Sequence, residues 1–541
     1  MDAATLARLG DEYFDAHYRA DPFSATASGV VGFDGEVPDP RREANEQLGQ
    51  RLAGVAASLS EVDADGLTGE DRISHSMLGR LLRDEQEVLQ AGLEEVAVTA
   101  SMVGALAQVV STVPMGSVNS PAAAETYLAR LSKLGDFFDG WAERHRQAKA
   151  DGRYPIATGI RQAVAQADGY LATPLDRDPL LQPTIDNGQL RANAADLVST
   201  VVRPALARYR AVLVDELLPV ARPDDQVGVC HVPGGAPGYL TLVRAHTTTE
   251  LTPDEIHEIG LRHIAQLREE FAERGSRALG TSDVAEVLHR LRDDPALRFG
   301  TAQEIVDSVT GALRRAEEAL PDRFHRYDIA PCVVREMDPA EAENSVLGYY
   351  QPPAEDGSRP GAHVVNTYRP ELRPRFEYEP LAFHESVPGH HLQIGIAQSL
   401  TELPAFRRFG YVTAHGEGWA LYTERLADEM GLYSDDLSRL GMVSFDAWRA
   451  GRLVVDTGMH RYGWSRDRAI EYLLENTALS PTNIANEVDR YIACPAQALA
   501  YMVGRLKIVE LRERSPDIRT FHHEVLSHGP LPLDTLQSLF A

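Results

Sequence analysis

Cysteine is scarce in this chain: Cys230, Cys332 and Cys494 are the only three in 541 residues. Their number is odd, their spacing is wide, and no pair has the separation of a zinc ribbon or a redox motif. A disulfide framework is therefore not expected, and the thiols point to a reducing compartment. Basic charge is also short, with 53 Lys and Arg against 80 Asp and Glu and a net charge of −27. That balance argues against nucleic acid or an anionic membrane as a partner, since both demand a basic surface. Long apolar runs are missing too. Residues 96–115 form the one long uncharged stretch, but it carries Thr99, Ser101, Gln108, Ser111, Thr112 and Pro114 and has no basic flank. It predicts a buried helix, not a membrane span. The first twelve residues have no basic region followed by an apolar one, so no secretory signal and a cytoplasmic protein are expected. A G-x-S-x-G elbow, a P-loop and a dinucleotide fingerprint are all lacking, which sets aside serine-hydrolase and nucleotide chemistry.

What the chain does have is helical periodicity. Apolar positions recur at helical spacing around residues 3–19, 44–59, 69–91, 121–149 and 188–217, separated by loops rich in Pro, Gly and Asp. Composition shifts near residue 220, through Arg222-Pro-Asp-Asp and the Pro/Gly-rich run 232–238. This predicts an N-terminal helical part, 1–220, and a second part, 221–541, that together make one unit. Thr252-Pro-Asp-Glu255 has the cap, first-turn proline and closing glutamate of a helix start. Between residues 330 and 370 the pattern turns to short β-type runs at 332–336, 346–350 and 363–368, the last two joined by a turn-rich connection, 351–361. An exposed edge of such a sheet can hold an extended peptide, the alternative being a structural hairpin packed on the helices, and Asn366 and Tyr368 are candidates to reach the cleft.

The densest chemistry lies in Phe383-His-Glu-Ser-Val-Pro-Gly-His-His-Leu-Gln393, followed by Glu417-Gly-Trp-Ala-Leu-Tyr-Thr-Glu424. In H-E-x-x-H the two histidines sit one turn apart and bind zinc, while the glutamate polarises a water. Here proline stands where the second histidine would be. Proline breaks the helical ladder, so the helix is expected to distort at Pro388-Gly389. On a straight helix at about 100° per residue, His390 would point roughly 120° from His384 and needs a bulge to share an ion. His391 returns to the same face but lies about 10 Å further along, and it remains the alternative. Residues 413–430 read as a helix with Trp419, Tyr422, Leu426 and Met430 as its apolar stripe and Gly431 as its stop. Glu417 and Glu424, two turns apart, suit a ligand and a partner that orients a ligand histidine. Glu417 is the better ligand, because Gly416 and Gly418 admit close backbone approach.

The pattern H-E-x-x-P-G-H-H-x-Q with E-G-W-A-L-Y-x-E resembles the bacterial proteins grouped as domain of unknown function 885. Further similarity lies in Arg359-Pro-Gly361 with Asn366-Thr367, in 452–460, and in 490–498 with Tyr501 and Gly504, so the resemblance covers most of the chain. Members resemble in fold the helical zinc carboxypeptidases of the Taq type and, more distantly, angiotensin-converting enzyme. The resemblance implies a mainly α fold, a large helical clamshell of the zincin metallopeptidase type with a small β-sheet beside the cleft.

Together these readings predict a metallopeptidase with one zinc per chain, acting on a peptide or small amide substrate. His384, His390 and Glu417 are the expected ligands and Glu385 the general base. Tyr501 or His460 is expected to stabilise the oxyanion. Arg490 or Arg505 is a candidate clamp for a substrate carboxylate, with Asn366 as a further substrate contact. The alternative is a non-catalytic peptide-binding protein on a peptidase scaffold, motivated by the altered histidine spacing. A di-iron carboxylate centre would need paired Glu-x-x-His motifs, and only Glu286-Val-Leu-His289 offers one in a helical context.

Overall fold

The computed structural model describes residues 2–540 apart from 117, 184, 186, 326, 338–341, 343–345 and 354–359. These residues are mainly helical and form two compact units. One comprises Met1–Leu242, Gly458–Arg468 and Ala485–Pro495; the other comprises Val243–Thr457, Ala469–Ile484 and Ala496–Ala541. The composition shift near residue 220 falls inside the first unit. Beyond it, the Val229 N–H donates to His460 Nδ1, which ties the chain after the shift to the same unit.

In the first unit the predicted helices appear as α1 (Asp2–Ala20), α2 (Arg42–Ser60), α3 (Gly69–Ala91) and α4 (Pro121–Ala150). The Ser120 side chain caps α4 with Pro121 in its first turn, the position where a missing N–H costs nothing. Tyr127, Leu131, Leu134 and Phe138 recur at helical spacing on its buried face. They pack with Phe23, Val202, Leu206 and Leu213 in one core. Residues 188–217 are continuously helical, with π-type turns at Val198–Val202 and Val212–Leu217. The stretch 96–115 is not one buried helix. Its long helical part is only Ala105–Thr112, because the chain folds tightly before it. The Thr99 hydroxyl accepts the Ser101 N–H, and a Cβ on Gly104 would lie 2.1 Å from the Thr99 carbonyl oxygen. Among the described residues no helix is long and apolar enough to cross a membrane.

The second unit begins with α5 (Pro253–Ala278), whose Thr252–Glu255 capping box forms as the sequence predicts. After α6 (Ala302–Arg323) come β1 (Cys332–Glu336), β2 (Gly348–Gln351) and β3 (Gly361–Val365) in the order β1-β3-β2. β3 is fully buried, parallel to β1 and antiparallel to β2. The first strand matches its predicted range, while the other two are shifted. Gly361 starts β3 early because it has no Cβ to meet the His391 ring, which would lie 2.6 Å away. Asn366 ends it by accepting the Tyr368 N–H, an Asx turn. Residues 354–359, which include Arg359 and most of the turn-rich connection, lie outside the described residues. Five helices follow that matter to the site: α7 (Tyr378–Glu385), α8 (His390–Ser399), α9 (Thr413–Glu429), α10 (Asp436–His460) and α11 (Ala500–Glu513).

Candidate metal centre

The expected helix distortion is a complete break. α7 ends at Glu385 and α8 starts afresh at His390, with a cis Val387–Pro388 peptide in the connection. A Cβ on Gly389 would lie 1.9 Å from the His384 carbonyl oxygen, so only glycine lets the chain fold back this closely. The connection is fixed from several sides. Trp419 Nε1 donates to the Pro388 carbonyl at 2.9 Å, the Thr423 hydroxyl donates to the Phe383 carbonyl, and Ser386 is hydrogen-bonded to His363. Restarting the helix turns His390 toward His384, with ring centroids 4.9 Å apart and planes at 88°.

α9 supplies the third group. A Cβ on Gly504 would lie 1.8 Å from the Ala414 carbonyl oxygen, and one on Gly418 would lie 2.5 Å from the Gly504 backbone. α9 and α11 therefore cross at two facing glycines, which sets Glu417 on one side of the crossing and Tyr501 one turn before it. Glu417 Oε2 is 3.6 Å from His384 Nε2 and 3.6 Å from His390 Nε2. One ligand atom from each of these three residues lies within 4.8 Å of the others, the one such group among the described residues.

Each member is oriented by what lies behind it. His384 Nδ1 is 2.8 Å from Glu424 Oε1, and Glu424 is fully buried. This partner fixes the ring so that Nε2 faces the cluster. Glu385 accepts the N–H of Tyr350 in β2 at 3.1 Å, which holds its carboxylate beside the sheet edge. The Tyr411 hydroxyl donates to Glu417 Oε1 at 2.9 Å. Although 51 % of Tyr411 is exposed, burial of its hydroxyl, then Glu417 and Tyr501, push its pKa well above the usual value and keep it a donor. Gly416 makes room for this ring, since a Cβ there would touch it at 2.7 Å.

The sequence assignments divide on geometry. His384, His390 and Glu417 converge, and Glu424 stands behind His384 as its spacing suggested. His391 does not join them: Nδ1 is hydrogen-bonded to the Tyr350 hydroxyl at 3.0 Å and Nε2 to the Ala330 carbonyl at 2.9 Å. The Tyr501 ring lies 4.4 Å from the Arg452 guanidinium, and its phenol is close enough to Tyr411 to help raise that hydroxyl's pKa. His460 is corrected as an oxyanion donor. Its Nδ1 accepts the Val229 N–H and its Nε2 donates to the Tyr491 carbonyl, so both nitrogens serve the first unit's main chain. Arg490 is ion-paired with Glu487 at 2.9 Å, and Arg505 with Asp446 at 2.7 Å, which removes both as clamps. Asn366 is likewise structural: it is fully buried and donates to the Ala342 and Val346 carbonyls. Glu286 accepts from Thr281, and the exposed His289 pairs with Asp293, so no di-iron motif forms there. Sequence reasoning missed Tyr411. The only local signal for Tyr411 was Gly416, whose missing side chain the ring fills.

The electrostatics favour a cation. Burial opposes charge on His384, yet Glu417, Glu424 and Glu385 together push its pKa up to about 9. Burial would raise Glu417, but His384 and His390 hold it well below the usual carboxylate range. His384, His390 and Glu417 thus converge with Glu417 Oε2 3.6 Å from each imidazole Nε2, a spacing that leaves a cation-sized gap among them. Two imidazole nitrogens and one carboxylate oxygen are a donor set that zinc accepts, with room for a fourth group. The residues present fit that ion.

The fold and this cluster define a mainly helical protein with a buried His-His-Glu centre. The chain belongs to the family described as bacterial protein of unknown function (DUF885), which matches residues 22–539. No curated protein matches its sequence significantly. It is similar to a candidate lipoprotein from Colwellia psychrerythraea, known from a crystal structure, with 25 % identity, a TM-score of 0.91, and coverage of 99 % of this chain and 98 % of that one. A second solved structure, a candidate lipoprotein of unknown function from Shewanella oneidensis, shares the fold at 18 % identity and TM-score 0.74, over 99 % of each chain.

Proposed function

We propose that this protein is a zinc-dependent hydrolase of peptides or similar amides, of the helical zinc carboxypeptidase type that its motifs resemble. The observation that carries the reading is the convergence of His384, His390 and Glu417, with Glu385 adjoining and Glu424 behind. His384, His390 and Glu417 would hold the ion. Zinc bound there supplies Lewis acidity, polarising an amide carbonyl and lowering the pKa of a water. Glu385 takes the proton of the attacking water and passes it to the leaving amine. Its hydrogen bond to the Tyr350 N–H holds one oxygen and leaves the other for that work. Tyr501 would donate to the developing oxyanion.

The sheet supports a peptide substrate. Among the described residues β2 is an edge strand, and the Tyr350 N–H points to Glu385, not to β3. An extended peptide lying along that edge would bring its backbone to the base. Three free cysteines favour the cytoplasm, whereas the lipoprotein description of the Colwellia neighbour favours export. Cell fractionation decides between them.

Replacing Glu385 by Gln tests the mechanism. Turnover of a peptide library should fall at least 100-fold, roughly the contribution of a general base, while zinc content stays unchanged. Retained turnover would remove the assigned base. A protein that holds peptide and never cleaves it would favour the non-catalytic alternative.

A further inference from the structure

Beside the centre lies a buried cation, Arg449, whose ion pair among the described residues is a long one to Glu424. Arg449 on α10 is only 4 % exposed, and among the described residues its Nε and Nη1 have no hydrogen-bond partner. Its Nη2 approaches Glu424 Oε1 at 3.9 Å, too far for a hydrogen bond, and that oxygen is already held by His384. Asp446, the nearest acid on its own helix, is occupied by Arg425 and Arg505. Glu377 also faces Arg449 but shares its field with Arg298 and Arg373. The guanidinium is instead fixed in place by rings, 4.4 Å from the Phe445 centroid and 4.3 Å from that of Trp448.

Arg452, one turn on, brings a second positive charge. It stacks 4.3 Å from Trp448 and 4.4 Å from Tyr501, and it is 3 % exposed. Two guanidinium groups are thus held against one indole, in a buried place, next to the tyrosine beside the centre. A buried donor without an acceptor costs about 1–3 kcal/mol, more when charged. A guanidinium meets a carboxylate through Nε or Nη1 singly, or in two-point fashion with Nη2 as the second donor; here Nε and Nη1 are the open donors and Nη2 leans toward Glu424.

We propose that Arg449, supported by Arg452, is a subsite for a carboxylate on the substrate, so that this centre takes carboxylate-bearing peptides. The inference rests on the peptidase reading for the word substrate, but the anion site itself does not need hydrolysis. Arg449 lies behind His384, with the Glu424 carboxylate between its Nη2 and the ring's Nδ1, and it still feels the charge of Glu417. That separation is of the order of one or two residues of extended chain, at about 3.3–3.6 Å each. A terminal carboxylate just beyond a cleaved bond has that reach, and so has an acidic side chain.

Calorimetric binding to the full-length Glu385→Gln protein separates these possibilities. Three probes are used: N-acetyl-Ala-Ala as the free acid, the same peptide as its C-terminal amide, and N-acetyl-Ala-Glu amide, which has only a side-chain carboxylate. The free acid should bind at least tenfold more tightly than its amide. Adding Arg449→Met should erase that preference, while Arg449→Lys should keep part of it. Equal affinity for acid and amide, or a preference that survives Arg449→Met in a folded protein, would overturn the subsite. If Arg449→Met does not fold, the acid-to-amide ratio of the unsubstituted Arg449 protein and the lysine variant still decide. N-acetyl-Ala-Glu amide binding as well as the free acid would support the carboxylate subsite with the side chain as its source. Acid preference without any turnover by the natural chain would sink the peptidase reading alone; turnover without acid preference would sink the subsite alone.

Discussion

At the scale of single residues, the difference between His390 and His391 lies in what occupies their nitrogens. His391 spends both on Tyr350 and Ala330, while His390 turns Nε2 toward Glu417. Spacing along a helix leaves this choice open, because it depends on where the helix breaks and on a strand that folds from elsewhere. Glu424 is the residue whose role can be isolated most cleanly. It touches no ligand position except through His384 Nδ1, and such partners raise ligand basicity and fix the ring. Glu424→Gln keeps the shape and removes the charge. It should weaken zinc binding about 10- to 100-fold, measured by competition with a chromophoric chelator; unchanged affinity would show that Glu424 does not orient the ligand. His460 and Asn366 illustrate why the remaining residue assignments were not legible. Both are polar residues in suggestive motifs, but their polar atoms satisfy main-chain groups brought near only by folding.

Among the elements, those governed by local chemistry were readable. The Thr252–Glu255 capping box, the long helices of the first unit, and the stop of α9 at Gly431 with its φ of +72° all follow from neighbours in sequence. The break at Pro388-Gly389 was readable too, since proline ends a helix whatever surrounds it. The crossing of α9 and α11 was not, because Gly418 and Gly504 are ordinary helical glycines until they face each other. Gly504→Ala should therefore be costly: its Cβ would sit 1.8 Å from the Ala414 carbonyl. A loss of about 1–3 kcal/mol or more is expected, read as a lower urea midpoint, with zinc affinity falling as Glu417 is displaced. The control is Gly79→Ala, also in a helix, where the nearest atom is an ordinary 3.7 Å away; it should cost nothing and gain stability from helix propensity. Equal stability of the Gly504→Ala variant and the natural chain would contradict the crossing.

At the scale of the whole molecule, both units bury neutral histidines. Burial pulls His145, His363, His415, His460 and His522 each down to about 4 from an ordinary value of 6.5. A base with a lowered folded pKa binds fewer protons folded than unfolded, so acid favours the unfolded chain across that window. Their contribution is intact above pH 6.5 and is lost progressively as pH falls toward 4, by up to about 1.4 kcal/mol per pH unit for each histidine. Thermal melts should therefore show Tm dropping steeply between pH 6.5 and 5; a flat Tm over that range would contradict neutral burial. The mainly helical class was visible in the sequence, and so was the small sheet, because their periodicities differ. The division into units was not, since each unit takes back segments from distant parts of the chain.

The central claim, one ion held by His384, His390 and Glu417, is tested most directly by metal analysis. Purified protein is measured by mass spectrometry alongside separate alanine variants at these three positions and at His391. About one zinc per chain, lost in the three variants and kept in His391→Ala, is the predicted result. A natural chain that takes up no zinc when it is supplied, or one that loses it with His391 and keeps it without His390, would contradict the account.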